Sequence, residues 1–199
     1  CGGLEMSDEI GVTISGLAAL LTLGMQDEFY EKVQSILVYP EAYVAPDREH
    51  GESGQVVLEG GQAREGEAWY RGPVILSWKE VVAGGRGRDH GSSVVLHEFA
   101  HQLDMENGRD VDGTPPLARR EDYARWQRVM QDAYDRLLEN CRRGRRTVLD
   151  CYETQNAAEF FAVATEAFFE RAAEMRQHEP ALYEALAGYF RQDPAERGS

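Results

Sequence analysis

The segment HEFAH, residues 97–101, matches the pattern H-E-x-x-H, which is typical of a helix that binds a metal ion. Positions four apart lie on nearly the same face of an α-helix, one turn from each other. The imidazoles of His97 and His101 can therefore reach one metal ion. Glu98 can face the open coordination position and accept a proton from water there. The alternative is a pair of histidines in a buried helix that binds nothing.

The residues around this motif favour an amphipathic helix. Ser92-Ser93 offers a serine to cap its start, and Asn107-Gly108 is a plausible end. Val95, Phe99 and Leu103 recur at the spacing of an apolar helical stripe on the side opposite the histidines. One face can therefore pack on a core while the other presents metal ligands.

A catalytic zinc ion commonly has three protein ligands and a water, so a third ligand is needed. A metzincin-type continuation requires histidine at position 107, where the chain has Asn107, so that class is excluded. Asp104 lies on the histidine face, either as a ligand or as an acceptor that holds an imidazole N–H. Glu159 and Glu166 are seven residues apart in an apolar helical segment. Binding to a metal ion would explain why one of these carboxylates lies in an apolar helix. The alternative is that both lie on a solvent-exposed stripe of that helix.

Length and charge limit the classes of protein that need to be considered. The 199 residues suit one domain with a hydrophobic core, and no apolar run approaches the roughly 20 residues that span a bilayer. The net charge of −14 argues against direct binding to nucleic acid. The arginine cluster at 142–146 is interpreted as a solvated loop, or otherwise as a docking patch for an acidic partner.

The three cysteines, Cys1, Cys141 and Cys151, do not form a regular disulfide framework. Cys141 and Cys151 could pair only if a hairpin brought them together, so free thiols in a reducing cytoplasm are expected. The chain begins at Cys1 rather than methionine, which suggests N-terminal trimming.

The order of the predicted elements is a helix, then strands, then helices, which is typical of the α+β class. The pattern predicts helices at 12–23, 92–108, 122–140 and 180–191, and a further helix that begins near residue 156 and passes residue 171. It also predicts strands at 35–39, 55–58 and 74–78, and a loop at 84–90.

Several segments together resemble a known family. HEFAHQLD (97–104) followed by AEFFAVATEAFF (158–169) is similar to the Mlc titration factor family of bacterial zinc peptidases, whose catalytic domain resembles that of anthrax lethal factor. The resemblance continues through ILVYPEAYV (36–44), RGPVILSW (71–78) and QDPAER (192–197). It implies a single zincin-like metallopeptidase domain over residues 1–199, with a small mixed sheet, an H-E-x-x-H helix and further C-terminal helices.

The resemblance also implies residue roles. His97, His101 and Glu159 match the zinc ligands, Glu98 matches the general base, and Tyr152 matches a tyrosine that stabilises the transition state. The alternative for Tyr152 is a packing role near a helix start.

The family further implies a cytoplasmic peptidase with aminopeptidase-like action on peptide substrates, and for some members binding to a transcriptional repressor of the Mlc type. A non-catalytic module that zinc stabilises and that titrates a repressor is the alternative function. The arginine cluster at 142–146 departs from the family pattern, so partner surfaces are expected to differ.

Overall fold

The computed structural model describes residues 2–26, 29–41, 73–85, 93–108, 111–152 and 154–197. Helices dominate this part of the chain, together with two short strands, in agreement with the predicted α+β class. The elements, in chain order, are α1 (Asp8–Thr22), β1 (Ile36–Tyr39), β2 (Val74–Ser77), α2 (Trp78–Gly85), α3 (Val94–Met105), α4 (Asp122–Arg142), α5 (Ala157–Glu170), α6 (Ala172–His178), α7 (Pro180–Phe190) and a 3-10 turn (Pro194–Glu196).

The two described strands pair in parallel, with Ile36 opposite Val74 and Tyr39 opposite Ser77. A mixed sheet was expected, but only this parallel pair lies within the described ranges, and the predicted strand 55–58 falls outside them. Trp78 was predicted to end the strand. It begins α2 instead, because the hydroxyl of Ser77 accepts a hydrogen bond from the backbone N of Glu80 at 3.4 Å and so favours a helical turn.

Helix α5 passes through the centre of the described core and packs against α3. Phe160, Phe161 and Phe168 are at most 1% exposed. The ring of Phe161 meets Trp126 of α4 edge-on at 5.8 Å, and Phe168 stacks on Phe190 of α7 at 5.6 Å. Aromatic contacts of this kind add to the apolar burial that fixes α5 in place.

The first and last helices meet at their C-terminal ends. The side-chain amide of Gln192 donates to the carbonyl of Leu20 at 2.9 Å and to that of Leu21 at 3.4 Å. Gly24 lies so close to the end of α7 that a Cβ there would be 2.3 Å from the carbonyl oxygen of Phe190. The carbonyls of Leu20 and Leu21, in the last turn of α1, therefore accept hydrogen bonds from the segment that follows α7.

Cys141 and Cys151 form a disulfide, so the expectation of free thiols at these positions is wrong. Helix α4 continues to Arg142, two residues beyond its predicted end, and the chain turns at Gly144, where φ is +62°. This reversal brings the two Cα atoms to 5.9 Å although the cysteines are ten positions apart in the sequence. The bond ties the last turn of α4 to the segment that precedes α5.

Among the described residues, no helix is both long enough and apolar enough to cross a membrane.

Candidate metal centre

Helix α3 forms as the sequence predicts, with Ser93 as its N-cap and an apolar face directed into the core. The Ser93 hydroxyl accepts a hydrogen bond from the backbone N of Leu96 at 3.5 Å. Val95, Phe99 and Leu103 are at most 3% exposed. The helix ends at Met105 rather than at residues 107–108.

The two histidines of α3 meet a carboxylate of α5. The Nε2 atoms of His97 and His101 are 3.2 Å apart. The carboxylate of Glu159 lies 3.1 Å from Nε2 of His97 through one oxygen and 3.6 Å from Nε2 of His101 through the other. The three side chains are 11–14% exposed, so the cluster is largely buried but open to solvent on one side. The structure thus brings together the three side chains that were predicted as ligands.

Asn156 determines where Glu159 sits on α5. Its side-chain oxygen accepts a hydrogen bond from the backbone N of Glu159 at 3.0 Å, which places Glu159 in the first turn. The pattern of asparagine followed three residues later by glutamate is a sequence signature of a helix start. The start near residue 156 was predicted, whereas the role of this cap in placing Glu159 was not.

Glu166 lies against the Nδ1 edge of His97 and can hold the orientation of its ring. One carboxylate oxygen lies 2.7 Å from Nδ1 of His97, and the other accepts a hydrogen bond from the backbone N of Ser93 at 2.6 Å. Glu166 is 2% exposed, so this contact is shielded from water. With the proton on Nδ1, the lone pair of Nε2 points toward His101 and Glu159.

This donor set suits a metal ion. Three ligand atoms, one from each of His97, His101 and Glu159, lie within 4.8 Å of one another. Ligands at zinc-like distances of about 2.0–2.1 Å in a tetrahedron are about 3.3 Å apart, close to the separations in this cluster. A lone pair of His97 that faces a carboxylate is repelled unless a cation lies between them.

The electrostatics of His97 indicate the same preference for positive charge. Burial disfavours a charged imidazole, but the hydrogen bonds to Glu159 and Glu166 outweigh burial and raise the pKa of His97 to about 10. The cluster therefore stabilises a cationic occupant, either a proton or a metal ion.

Glu98 lies beside this cluster on α3. Burial raises the pKa of its carboxyl group, and the imidazoles of His101 and His97 oppose that shift. A carboxyl group with a raised pKa is a stronger base when ionised, which suits proton transfer near neutral pH.

Asp104 makes a contact that was not predicted, and its proposed role of holding an imidazole N–H stays a prediction. Its Oδ2 accepts a hydrogen bond from the backbone N of Gly113 at 2.6 Å, and its side chain is fully buried. Within the described residues, neither Oδ1 of Asp104 nor Nδ1 of His101 has a hydrogen-bond partner. Asp104 therefore connects α3 to the loop before α4. The Asp112-Gly113 dipeptide signals a turn in this loop, but it does not predict the contact with Asp104.

The structure does not bring Tyr152 into the cluster. Its side chain is 91% exposed, and its backbone N donates to the carboxylate of Asp150 at 2.6 Å. The catalytic role of Tyr152 stays a prediction.

The fold and the cluster together indicate a metallopeptidase-like protein, in which one helix supplies two imidazoles and a second helix supplies a carboxylate. Comparison with known proteins agrees with this class. The chain belongs to the family described as glucose-regulated metallo-peptidase M90, which matches residues 1–191. This confirms the predicted family resemblance.

Curated relatives match nearly the full length of this chain. A Synechocystis sp. protein designated slr2042 is 38% identical over 98% of the chain and 70% of its own length. Mlc titration factor A of Yersinia pestis and that of Yersinia pseudotuberculosis are each 29% identical over 98% of the chain and 72% of their own length.

Proposed function

We propose that this protein is a zinc-dependent peptidase that hydrolyses peptide bonds in small substrates with aminopeptidase-like action. The observation that carries the proposal is the convergence of His97, His101 and Glu159 on one point, with Glu98 on the same helix as the histidines. The family to which the chain belongs supports the same reaction class.

His97, His101 and Glu159 are the residues that would hold the metal. A bound zinc ion would polarise the substrate carbonyl and lower the pKa of a water molecule. Glu98 accepts a proton from the attacking water and delivers it to the nitrogen of the leaving amine, so one carboxylate serves both steps. Glu166 keeps the proton of His97 on Nδ1 and so leaves Nε2 as a ligand.

Tyr152 is proposed to donate a hydrogen bond from its phenol to the oxygen that becomes negative in the transition state. Its side chain is 91% exposed, so packing does not prevent the change of rotamer that this role requires. The support for this role is the family pattern around residues 149–160.

A second candidate function is the titration of a transcriptional repressor of the Mlc type in the cytoplasm. It is supported by the name of the Yersinia relatives, Mlc titration factor A. A chain with net charge −14 would affect transcription through a protein partner rather than by binding DNA. In that case the metal would serve mainly to stabilise the fold.

Hydrolysis of a panel of aminoacyl and peptide chromogenic substrates tests the peptidase proposal. Wild type and Glu98→Gln are compared, with zinc content measured in each and a chelated wild-type sample alongside. Glu184→Gln removes the same charge from an exposed position of α7 and serves as the matched control.

We expect Glu98→Gln to keep its zinc and to lose activity by about 10²–10⁴-fold, because general base catalysis is removed. The control should match wild type. A wild type that binds zinc but cleaves no substrate would favour the titration function, which binding to a purified Mlc-type repressor then tests. A wild type that binds no zinc would refute the metal centre.

A further inference from the structure

Gly113, in the loop between α3 and α4, is held by polar groups of both helices. Its backbone N donates to Oδ2 of Asp104 on α3 at 2.6 Å, and its carbonyl oxygen accepts a hydrogen bond from Nε1 of Trp126 on α4 at 3.1 Å. Asp104 and Trp126 are 0% and 5% exposed. These buried hydrogen bonds fix the loop in one position relative to both helices.

The backbone of Gly113 is also in close contact with the start of α5. A Cβ on Gly113 would lie 2.3 Å from the carbonyl oxygen of Ala157 and 2.8 Å from its carbonyl carbon. Its φ of +77° is also a conformation that side chains other than glycine disfavour. Ala157 is the first residue of α5 and precedes Glu159 by two positions, so the loop backbone contacts the turn that carries the third candidate ligand.

We propose that Asp104 and Gly113 form a latch that sets the distance between α3 and the first turn of α5, and so positions the carboxylate of Glu159 against the imidazoles of His97 and His101. This inference rests on the proposed metal centre. Asp104 and Gly113 are positioning residues, since neither one belongs to the convergent donor set.

Helix α3 packs against α5, and polar contacts add defined ties near both ends of that packing. The carboxylate of Glu166 reaches from α5 to the start of α3, at Ser93 and His97. The latch connects the opposite ends of these helices, since Asp104 lies in the last turn of α3 and Ala157 begins α5. Together with that packing, the two separated ties restrain both the distance and the angle between the helices. Ligand positions must hold to within about 0.5 Å for tight coordination.

The matched variants Gly113→Ala and Gly144→Ala test the latch. Both glycines have positive φ, so both substitutions impose similar backbone strain. No atom lies within 4 Å of a Cβ added at Gly144, whereas the Cβ at Gly113 meets Ala157. The zinc dissociation constant is measured by chelator competition. Amide hydrogen exchange is measured at Glu159 and Phe160, which lie in the first turn of α5.

We expect Gly113→Ala to weaken zinc binding by about 10–100-fold, as is typical when groups that orient ligands are lost. It should also speed amide exchange at the start of α5. Gly144→Ala should leave both quantities at their wild-type values. Equal results for the two variants, or faster exchange with unchanged zinc affinity, would overturn the latch.

Asp104→Ala and Asp104→Asn provide a second test that does not depend on backbone strain. Asparagine keeps an oxygen that accepts from the N–H of Gly113, so it should restore most of the affinity and the slow exchange that alanine loses. Equal loss in both variants would contradict the latch. If wild type binds no zinc, the proposed metal centre is refuted. The amide exchange rates alone then show whether the latch holds the first turn of α5 in place.

Discussion

Glu166 joins the imidazole of His97 to the N-cap of α3, because one of its oxygens lies 2.7 Å from Nδ1 and the other accepts the backbone N–H of Ser93. Its carboxylate is 2% exposed and comes from the same helix as Glu159. The two acids of α5 therefore act on opposite edges of one imidazole ring, with Glu159 near Nε2 and Glu166 at Nδ1.

The first prediction concerns Glu166. Replacing it with alanine should weaken zinc binding by about 10–100-fold, because the proton and the orientation of His97 are no longer fixed. Glu184→Gln, on the surface of α7, should bind zinc as wild type does. Calorimetric titration with zinc measures both constants, and an unchanged constant for Glu166→Ala would show that the tautomer of His97 does not depend on this contact.

The second prediction compares two helix caps. Asn156 caps α5 through the N–H of Glu159 at 3.0 Å, and Ser7 caps α1 through the N–H of Ile10 at 3.3 Å. Replacing either cap with alanine should lower the free energy of unfolding by about 1 kcal/mol. Only Asn156→Ala should also weaken zinc binding, because only this cap sets the position of a ligand. Urea denaturation and zinc titration of both variants separate the two effects. An equal zinc affinity in the two would argue against a role of the cap in placing Glu159.

The third prediction concerns the disulfide between Cys141 and Cys151. Cys151→Ser should lower the free energy of unfolding by about 2–3 kcal/mol, because a closed loop of this length restricts the unfolded chain. Adding a thiol reductant should destabilise wild type by a similar amount. Cys151→Ser is the control for the reductant, because it has no disulfide to reduce and its denaturation curve should not change. A wild type that is insensitive to reductant would contradict the disulfide.

The fourth prediction is a pH dependence that originates at Asp104. Burial raises the pKa of its carboxyl group from 3.8 to about 6, although the N–H of Gly113 opposes the shift. The folded protein then binds this proton more tightly than the unfolded chain does. The contribution of Asp104 to stability is therefore full below the unfolded value and is lost as the pH rises through about 6.

Wild type should accordingly gain stability relative to Asp104→Asn, by about 1 kcal/mol, when the pH falls from about 7 to about 5. Urea denaturation of both proteins with a chelator present measures this difference. A difference that stays constant with pH, or that grows as the pH rises, would show that the carboxyl group is ionised in the folded state throughout.

The helices could be predicted from the sequence where their apolar pattern is long and their caps are explicit. For α3, α4 and α7, the predicted and observed ends agree within a few residues, as does the start of α5. Helix α2 was missed because it follows β2 with no break and ends in Gly84-Gly85, which read as a loop. The helix that begins near residue 156 was predicted to continue past Arg171, but α5 ends at Glu170 and α6 begins at Ala172 as a separate seven-residue helix.

The candidate site could be predicted only in part from the residues. Helical spacing places His97 and His101 together, since both lie on one element. Glu159 and Glu166 lie on the same face of α5, so helical spacing alone could not tell which carboxylate lies near Nε2 of His97. Family resemblance selected Glu159, and the packing of α5 on α3 shows how the two acids differ. The contact of Asp104 with Gly113 depends on a loop whose path no periodic pattern encodes.

The hydrogen bonds between Gln192 and the last turn of α1 bear on how the protein is made. During synthesis, α1 emerges from the ribosome long before Gln192, because the donor lies 172 positions after Leu20 in the sequence. Domains generally fold as units during or after synthesis. The carbonyls at the end of α1 must therefore remain bonded to water while the intervening chain emerges. The hydrogen bonds from Gln192 can therefore form only after residue 192 has left the exit tunnel, whereas the packing of α1 on α3 needs only the chain up to the end of α3.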